Sequence, residues 1–160
     1  MVQEPLVFES RLSVAPADAW RWMTSVEGVS AELAPVLKMT VPRTANTLIS
    51  EDVALGQRLF YSWVLLFGFF PVDRMELTLS SIDVGRRFVE ESPTLTMKQW
   101  RHERTLTPTE DGTVLTDRLT FEAKFGRALV RWFIGRVFEH RHAVLRRRLG
   151  GARSATARRA

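Results

Sequence analysis

The segment GRALVRWFIGRVFEHRHAVLRRRL, Gly126 to Leu149, leaves this chain the fewest choices. Leu129/Val130, Phe133, Val137, Val144/Leu145 and Leu149 recur at helical spacing, while Arg131, Arg136, Arg146 and Arg147 largely fill the other face. At 1.5 Å per residue, about 22 residues reach roughly 33 Å, enough to cross a whole domain. A helix of that length with one apolar stripe needs an apolar surface to lie on, and the upstream segments decide which kind. Gly150-Gly151 ends it.

Upstream, LVFESRLSV (Leu6 to Val14) alternates as a first strand. Pro16 and Asp18 open a short amphipathic helix carrying Trp20 and Met23, which Gly28 breaks. VSAELA forms a second short helix, ended by Pro35. A run of strands follows. VLKMTVP is extended, RTANTLISED is loop or weak strand, and RMELTLSSI alternates with Met75, Leu77 and Leu79 inward. RRFVEES is short, with Phe88 and Glu90 on one face. QRLFYSWVLLFG is bulky on both faces, so a strand covered on both sides is the preferred reading, with a lid helix as the alternative. GFFP turns the chain at Pro71. The order strand, two short helices, about six to seven strands and one long helix predicts an α+β fold in which a curved antiparallel sheet grips the helix around a cavity.

The 160 residues, 45% hydrophobic and 26% charged, suit a single core, expected over residues 1–150. Without cysteine, the chain has no disulfide, thiolate metal site or cysteine nucleophile, which fits a cytoplasmic location. MVQEPLVFES has no secretory pattern, and LFYSWVLLFGFF is shorter than the about 20 residues of a membrane span. From Lys124 onward, eleven Lys/Arg face one acid, Glu139, whereas Met1 to Ala123 carries twelve against seventeen. The basic balance therefore lies in the C-terminal segment, whose end, residues 151–160, is expected to be a disordered basic tail. No aromatic residues interleave with the terminal arginines, so no nucleic acid is expected, and weak contact with an anionic membrane is the remaining use for them. His140 and His142 point about 200° apart on a helix and cannot share a metal; no metal or cofactor is expected. Nucleophile-elbow, P-loop and dinucleotide-binding signatures do not occur, and no internal repeat is visible.

AELAP…KMTVP, LFGFFPVD, FVEESP, WRHERTL and GTVLTDRLTF, followed by VFEHRHAVLRRRL, resemble the helix-grip superfamily of START and Bet v 1-like proteins. The likeness is greatest to small bacterial stand-alone members of polyketide cyclase/dehydrase type. It spans about Leu6 to Leu149, and its most specific part is W-x-H-x-R followed by G-T-x-x-x-D. It implies a pocket for a small hydrophobic molecule; the oligomeric state, monomer or homodimer, stays open.

The hairpin MKQWRHERTLTPTEDGTVLTDRLTFEAKF carries the chemistry. Trp100, His102, Arg104 and Leu106 share one face, as do Leu115, Asp117, Leu119 and Phe121 across the turn TPTEDG. Asp117 falls opposite His102, Arg104 or Trp100, according to register. An ionised carboxylate among leucines would lose several kcal/mol of hydration if unpaired, so a base beside it is expected. Two readings follow. The row is a structural ion pair that fixes strand register, or it faces the cavity. In the second case Arg104 would bind an oxyanion, His102 oriented by Asp117 would act as acid or base, and Glu90 would assist. The candidate pocket walls are Trp63, Phe67, Phe88, Trp100, Leu119, Phe121, Phe133 and Val137. Three functions stay open: binding of a lipid, polyketide or aromatic metabolite; a cofactor-free cyclase or dehydratase of a poly-carbonyl substrate; and a membrane-surface or partner-binding module using the arginine-rich helix.

Overall fold

In the computed structural model, which describes residues 4–49 and 52–153, the chain runs β1 (Leu6–Leu12), α1 (Pro16–Thr24), α2 (Val26–Leu33), β2 (Leu37–Met39), β3 (Arg58–Leu66), β4 (Phe70–Asp83), β5 (Arg87–Glu90), β6 (Met97–Thr109), β7 (Gly112–Ala123), α3 (Arg127–Leu149) and β8 (Gly151–Arg153). The strands form one antiparallel sheet in the order β2-β3-β4-β5-β6-β7-β1-β8. Irregular register at Arg58/Phe60, Val64/Leu65, Leu79/Ser81 and Met97/Gln99 bends the strands, which lets the sheet curl about α3. This is the expected helix-grip architecture, with eight strands instead of six or seven.

Pro16 begins α1 where its missing N–H costs nothing, and Asp18 sits in the first turn. The Ser25 hydroxyl joins the two helices: it donates to the Trp22 carbonyl at 2.9 Å and accepts from the Gly28 N–H at 2.9 Å. A Cβ at Gly28 would collide with the Trp22 carbonyl oxygen, so the joint closes only over glycine. At the far end, Gly150, with φ 62°, turns the chain out of α3. Gly151–Arg153 then pair with Ser10–Leu12 of β1. Those three residues were expected to begin a disordered tail and instead form the eighth strand; the rest of that tail, 154–160, lies outside the described residues.

Three local expectations are corrected. The β6–β7 strands run on to Thr109 and Gly112, leaving only Glu110 and Asp111 of the expected six-residue turn in the connection; of the registers left open, the one that sets Arg104 opposite Asp117 and His102 opposite Leu119 is observed. β3 is a strand, but not one covered on both sides: Ser62 is buried while Tyr61 and Trp63 point outward under the Arg58 and Arg74 guanidinium groups. The bend before β4 lies at Phe67–Phe69, and Pro71 stands inside β4 opposite Leu65.

The interior is layered along α3. One apolar cluster holds Leu12, Met23, Leu79, Leu106, Leu115 and Leu145; a second holds Leu33, Leu37, Leu119, Phe121, Val137 and Phe138. On β7 the residue between Leu115 and Leu119 that faces inward is Asp117, and on α3 the buried residues between Phe138 and Val144 are Arg141 and His142. A charged layer therefore divides the two clusters.

Candidate functional site

Asp117 is the centre of that layer. It is fully buried and receives four donors: Arg104 Nε at 2.7 Å and Nη2 at 2.7 Å, His102 Nε2 at 2.7 Å and His142 Nε2 at 3.0 Å. A carboxylate has about four lone-pair sites, so all are used. Burial alone would push its carboxyl upward, but Arg104 and His102, through charge and hydrogen bonds, hold it well below the usual carboxylate range. Arg104, equally buried, forks between two acids: it also gives Nη1 and Nη2 to Glu32 at 3.2 and 3.0 Å. Burial favours loss of its proton; Asp117 and Glu32 overcome this and raise its pKa. Glu32 on α2 further accepts from Arg141 Nε at 3.0 Å and Trp22 Nε1 at 3.2 Å. Burial and Asp117 raise the Glu32 carboxyl, and Arg104 and Arg141 bring it below its ordinary value. Behind Asp117, His142 Nδ1 meets Ser10 Oγ at 2.8 Å, and that hydroxyl accepts from Arg146 at 2.8 Å.

Above the charged layer, between the inner face of the sheet and α3, lies a cavity of about 280 Å³. Leu37, Val64, Met75, Phe133, Ile134 and Val137 are among its apolar walls. Glu90, His102 and Arg141 supply polar atoms at its floor, with Trp100 beside them. Glu90 Oε1 accepts from Ser92 Oγ at 2.7 Å and Trp100 Nε1 at 3.2 Å; its other oxygen stands 3.7 Å from His102 Nδ1. His102 thus links the cavity carboxylate Glu90 to the sealed carboxylate Asp117. Phe88 and Phe138 pack edge-on against its ring at 5.6 and 5.2 Å, fixing its plane.

The structure brings His102, Glu90, Trp100, Phe133 and Val137 to the cavity. Arg104 and Asp117 lie beneath it; Arg104 is 0% exposed and its Nε and both Nη atoms serve acids of the protein, so it does not present an oxyanion site. Phe88, Leu119 and Phe121 belong to the surrounding core, Phe121 packing on Trp100 at 5.9 Å. Trp63 and Phe67 are surface residues: Trp63 projects from the outer face of β3, and Phe67 sits in the β3–β4 bend. Bulk on both faces of a strand says nothing about which face is inside, and the count of aromatics misled here.

The sequence reading missed Glu32, Arg141 and His142. Arg141 and His142 follow Val137 and Phe138 by one helical turn and precede Val144 and Leu145 by another, so the apolar stripe runs straight through them. That position was a usable signal. Glu32, on a different element, had none.

A curved antiparallel sheet closed on a long C-terminal helix, with a cavity between them, defines a protein of the helix-grip fold class. Solved structures agree: CV1439 from Chromobacterium violaceum superposes with a TM-score of 0.65 at 13% identity, over 89% of this chain and 98% of that one. A START superfamily protein from Mycobacterium smegmatis gives 0.62 at 10% identity, over 92% and 97%. DynU16, from the dynemicin biosynthetic locus, gives 0.59 at 14% identity, over 92% of this chain and 47% of its own. At such identities the likeness is one of fold. Residues 10–149 match the profile of the Domain of unknown function DUF8410, and the chain belongs to that family. No curated protein matches its sequence. Among the described residues no helix is long and apolar enough to cross a membrane.

Proposed function

We propose that the protein binds a small hydrophobic molecule, of lipid, polyketide or aromatic type, in the cavity between sheet and α3. The observation that carries this reading is the cavity itself: about 280 Å³ of space with mainly aliphatic and aromatic walls, a polar floor at Glu90, His102 and Arg141, and further polar lining at Asp73, Thr94 and Thr96. Its size is near the roughly 300 Å³ at which ligand pockets begin. A bound molecule would lay its apolar body along Val64, Met75 and Val137 and turn one hydrogen-bonding group toward the floor. The fold neighbours support a ligand-binding reading in general terms, since START superfamily and biosynthetic-locus proteins share the architecture.

A second reading, a cofactor-free cyclase or dehydratase acting on a poly-carbonyl substrate, draws on one arrangement. His102 is held by Asp117 on one nitrogen and faces Glu90 and the cavity with the other, as a proton-transferring group would be. Arg104 takes no part in that version. Glu90 and His102 would move the proton, and Asp117 would position the imidazole.

The test is binding of the fluorescent probe anilinonaphthalene sulfonate, together with native mass spectrometry for a co-purified apolar molecule. Val137→Trp fills the cavity from α3. One saturable probe site in the natural protein, lost in Val137→Trp, is the expected result. Probe binding that is unsaturable, or unchanged by Val137→Trp, would place the probe on the surface and defeat the reading.

A further inference from the structure

The rim of the cavity carries more exposed apolar surface than a freely soluble face needs. Val72 lines the cavity and is itself exposed, so it marks the mouth. Just before it, where the β3–β4 bend enters β4, the Phe69 and Phe70 rings meet at a tilt, 4.4 Å apart, with 65% and 57% of their surface open. Leu95 stands exposed between the lining residues Thr94 and Thr96. Across the mouth, Phe125 just before α3 and Leu129 and Trp132 in its first two turns are 81%, 68% and 62% exposed, the latter two next to the lining residues Val130 and Phe133. The two sides are joined, because Lys124 donates from Nζ to the Leu95 carbonyl at 2.7 Å.

The charges around this rim are basic. Lys38 adjoins Gly68 in the β3–β4 bend, and Lys98, Lys124 and Arg127 are exposed near the foot of α3. Glu122 is shared between Lys98 and Arg127. The Asp73 carboxylate is taken up by the backbone N–H groups of Arg74, Leu95 and Thr96 and by the Thr96 hydroxyl. Exposed aromatic and aliphatic side chains ringed by cations match an interface of acyl chains beneath anionic headgroups.

We propose that the protein docks mouth first on an anionic phospholipid surface, with Phe69, Phe70, Leu129 and Trp132 entering the acyl region while Lys38, Lys98, Lys124 and Arg127 face the headgroups. The cavity then opens onto the bilayer, so an apolar ligand exchanges with lipid without crossing water. Docking rests on the rim alone and does not depend on what the cavity holds. The site differs from the arginine-rich end of α3: Arg147 lies about 27 Å along the helix from Leu129.

The experiment is co-sedimentation of the full chain with vesicles of phosphatidylcholine alone and of phosphatidylcholine with phosphatidylglycerol. Binding to the mixed vesicles, weakened by salt, is expected. The double variant Leu129→Ser/Trp132→Ser should lower it at least about tenfold with the circular dichroism spectrum unchanged. Phe69→Ser, on the opposite side of the mouth, should weaken it as well, whereas Arg147→Glu/Arg148→Glu should leave it intact. No binding to either vesicle, or binding that survives the rim variants, overturns the proposal. So does loss confined to the Arg147/Arg148 variant, which would move the contact to the other end. Concentration-dependent dimers abolished by Leu129→Ser/Trp132→Ser, without vesicle binding, would make a second copy the occupant and overturn it too.

Discussion

Asp117→Asn removes one charge and almost no volume, so it isolates what the central carboxylate does. Asp117 accepts four hydrogen bonds, all from Arg104, His102 and His142. An amide keeps one oxygen and turns an NH₂ group toward two of those donors, so two charge-assisted bonds are lost. At about 1.5–3 kcal/mol each, the cost is roughly 3–6 kcal/mol. This agrees with the about 3–5 kcal/mol typical of breaking a buried ion pair from one side. For a chain of this length, about 2–4 °C per kcal/mol converts that to a melting point lower by about 6–24 °C. The assay is urea unfolding followed by far-ultraviolet circular dichroism, with thermal melts as a cross-check. The midpoint should fall while the slope with urea stays the same. A loss under about 1 kcal/mol would refute the reasoning, because it would mean that water already reaches the donors and that the layer is not dry.

Four further outcomes follow from the same geometry. The folded-state carboxyls of Glu32 and Asp117 lie below their unfolded values of about 4.3 and 3.9, so their contribution to stability is present above those values and lost as pH falls through the folded ones. The urea midpoint should therefore hold from neutrality to about pH 5 and drop in more acid solution; a midpoint unchanged to about pH 3 would contradict this. Glu90→Gln, at the cavity floor, should change probe affinity at a stability cost under about 1.5 kcal/mol, whereas Glu32→Gln, sealed from the cavity by its own partners, should cost about 3 kcal/mol or more. Leu119→Ala, at a fully buried member of the second cluster, should cost about 2–5 kcal/mol in the same unfolding assay. Trp63→Ser should leave probe binding untouched and cost no more than about 1 kcal/mol, the scale of its contact with Arg74.

How much of this was legible in the chain can be seen residue by residue. Period and punctuation revealed the strands, the two short helices and the long helix, because each reflects a local rule: Pro16 and Asp18 at a helix start, alternation at Met75, Leu77 and Leu79, and a stripe from Val130 to Leu149. The presence of Asp117, His102 and Arg104 on one inward face was likewise legible, since a two-residue period fixes it. The partners of that row were not. Glu32 reaches Arg104 across 72 positions of chain and Arg141 across 109, and no local pattern reports such a meeting. The function of Arg104 changed for the same reason: without Glu32 it seemed to have a free side for a substrate, and with Glu32 it has none. Trp63 and Phe67 failed on a different count: Trp63 stands exposed on the outer face of β3, and Phe67 lies beyond the end of that strand, in the bend before β4.

The two margins of the sheet are its shortest members, Leu37–Met39 on one side and Gly151–Arg153 on the other. Three residues offer too few unpaired backbone groups to template an incoming strand, and such brevity is a recognised defence against runaway polymerisation. Neither margin by itself therefore offers a second molecule a rail long enough to splice two sheets into a common ribbon. The outward tryptophan-tyrosine face and the aromatic lip offer self-association a route through side chains instead, where single substitutions can tune it.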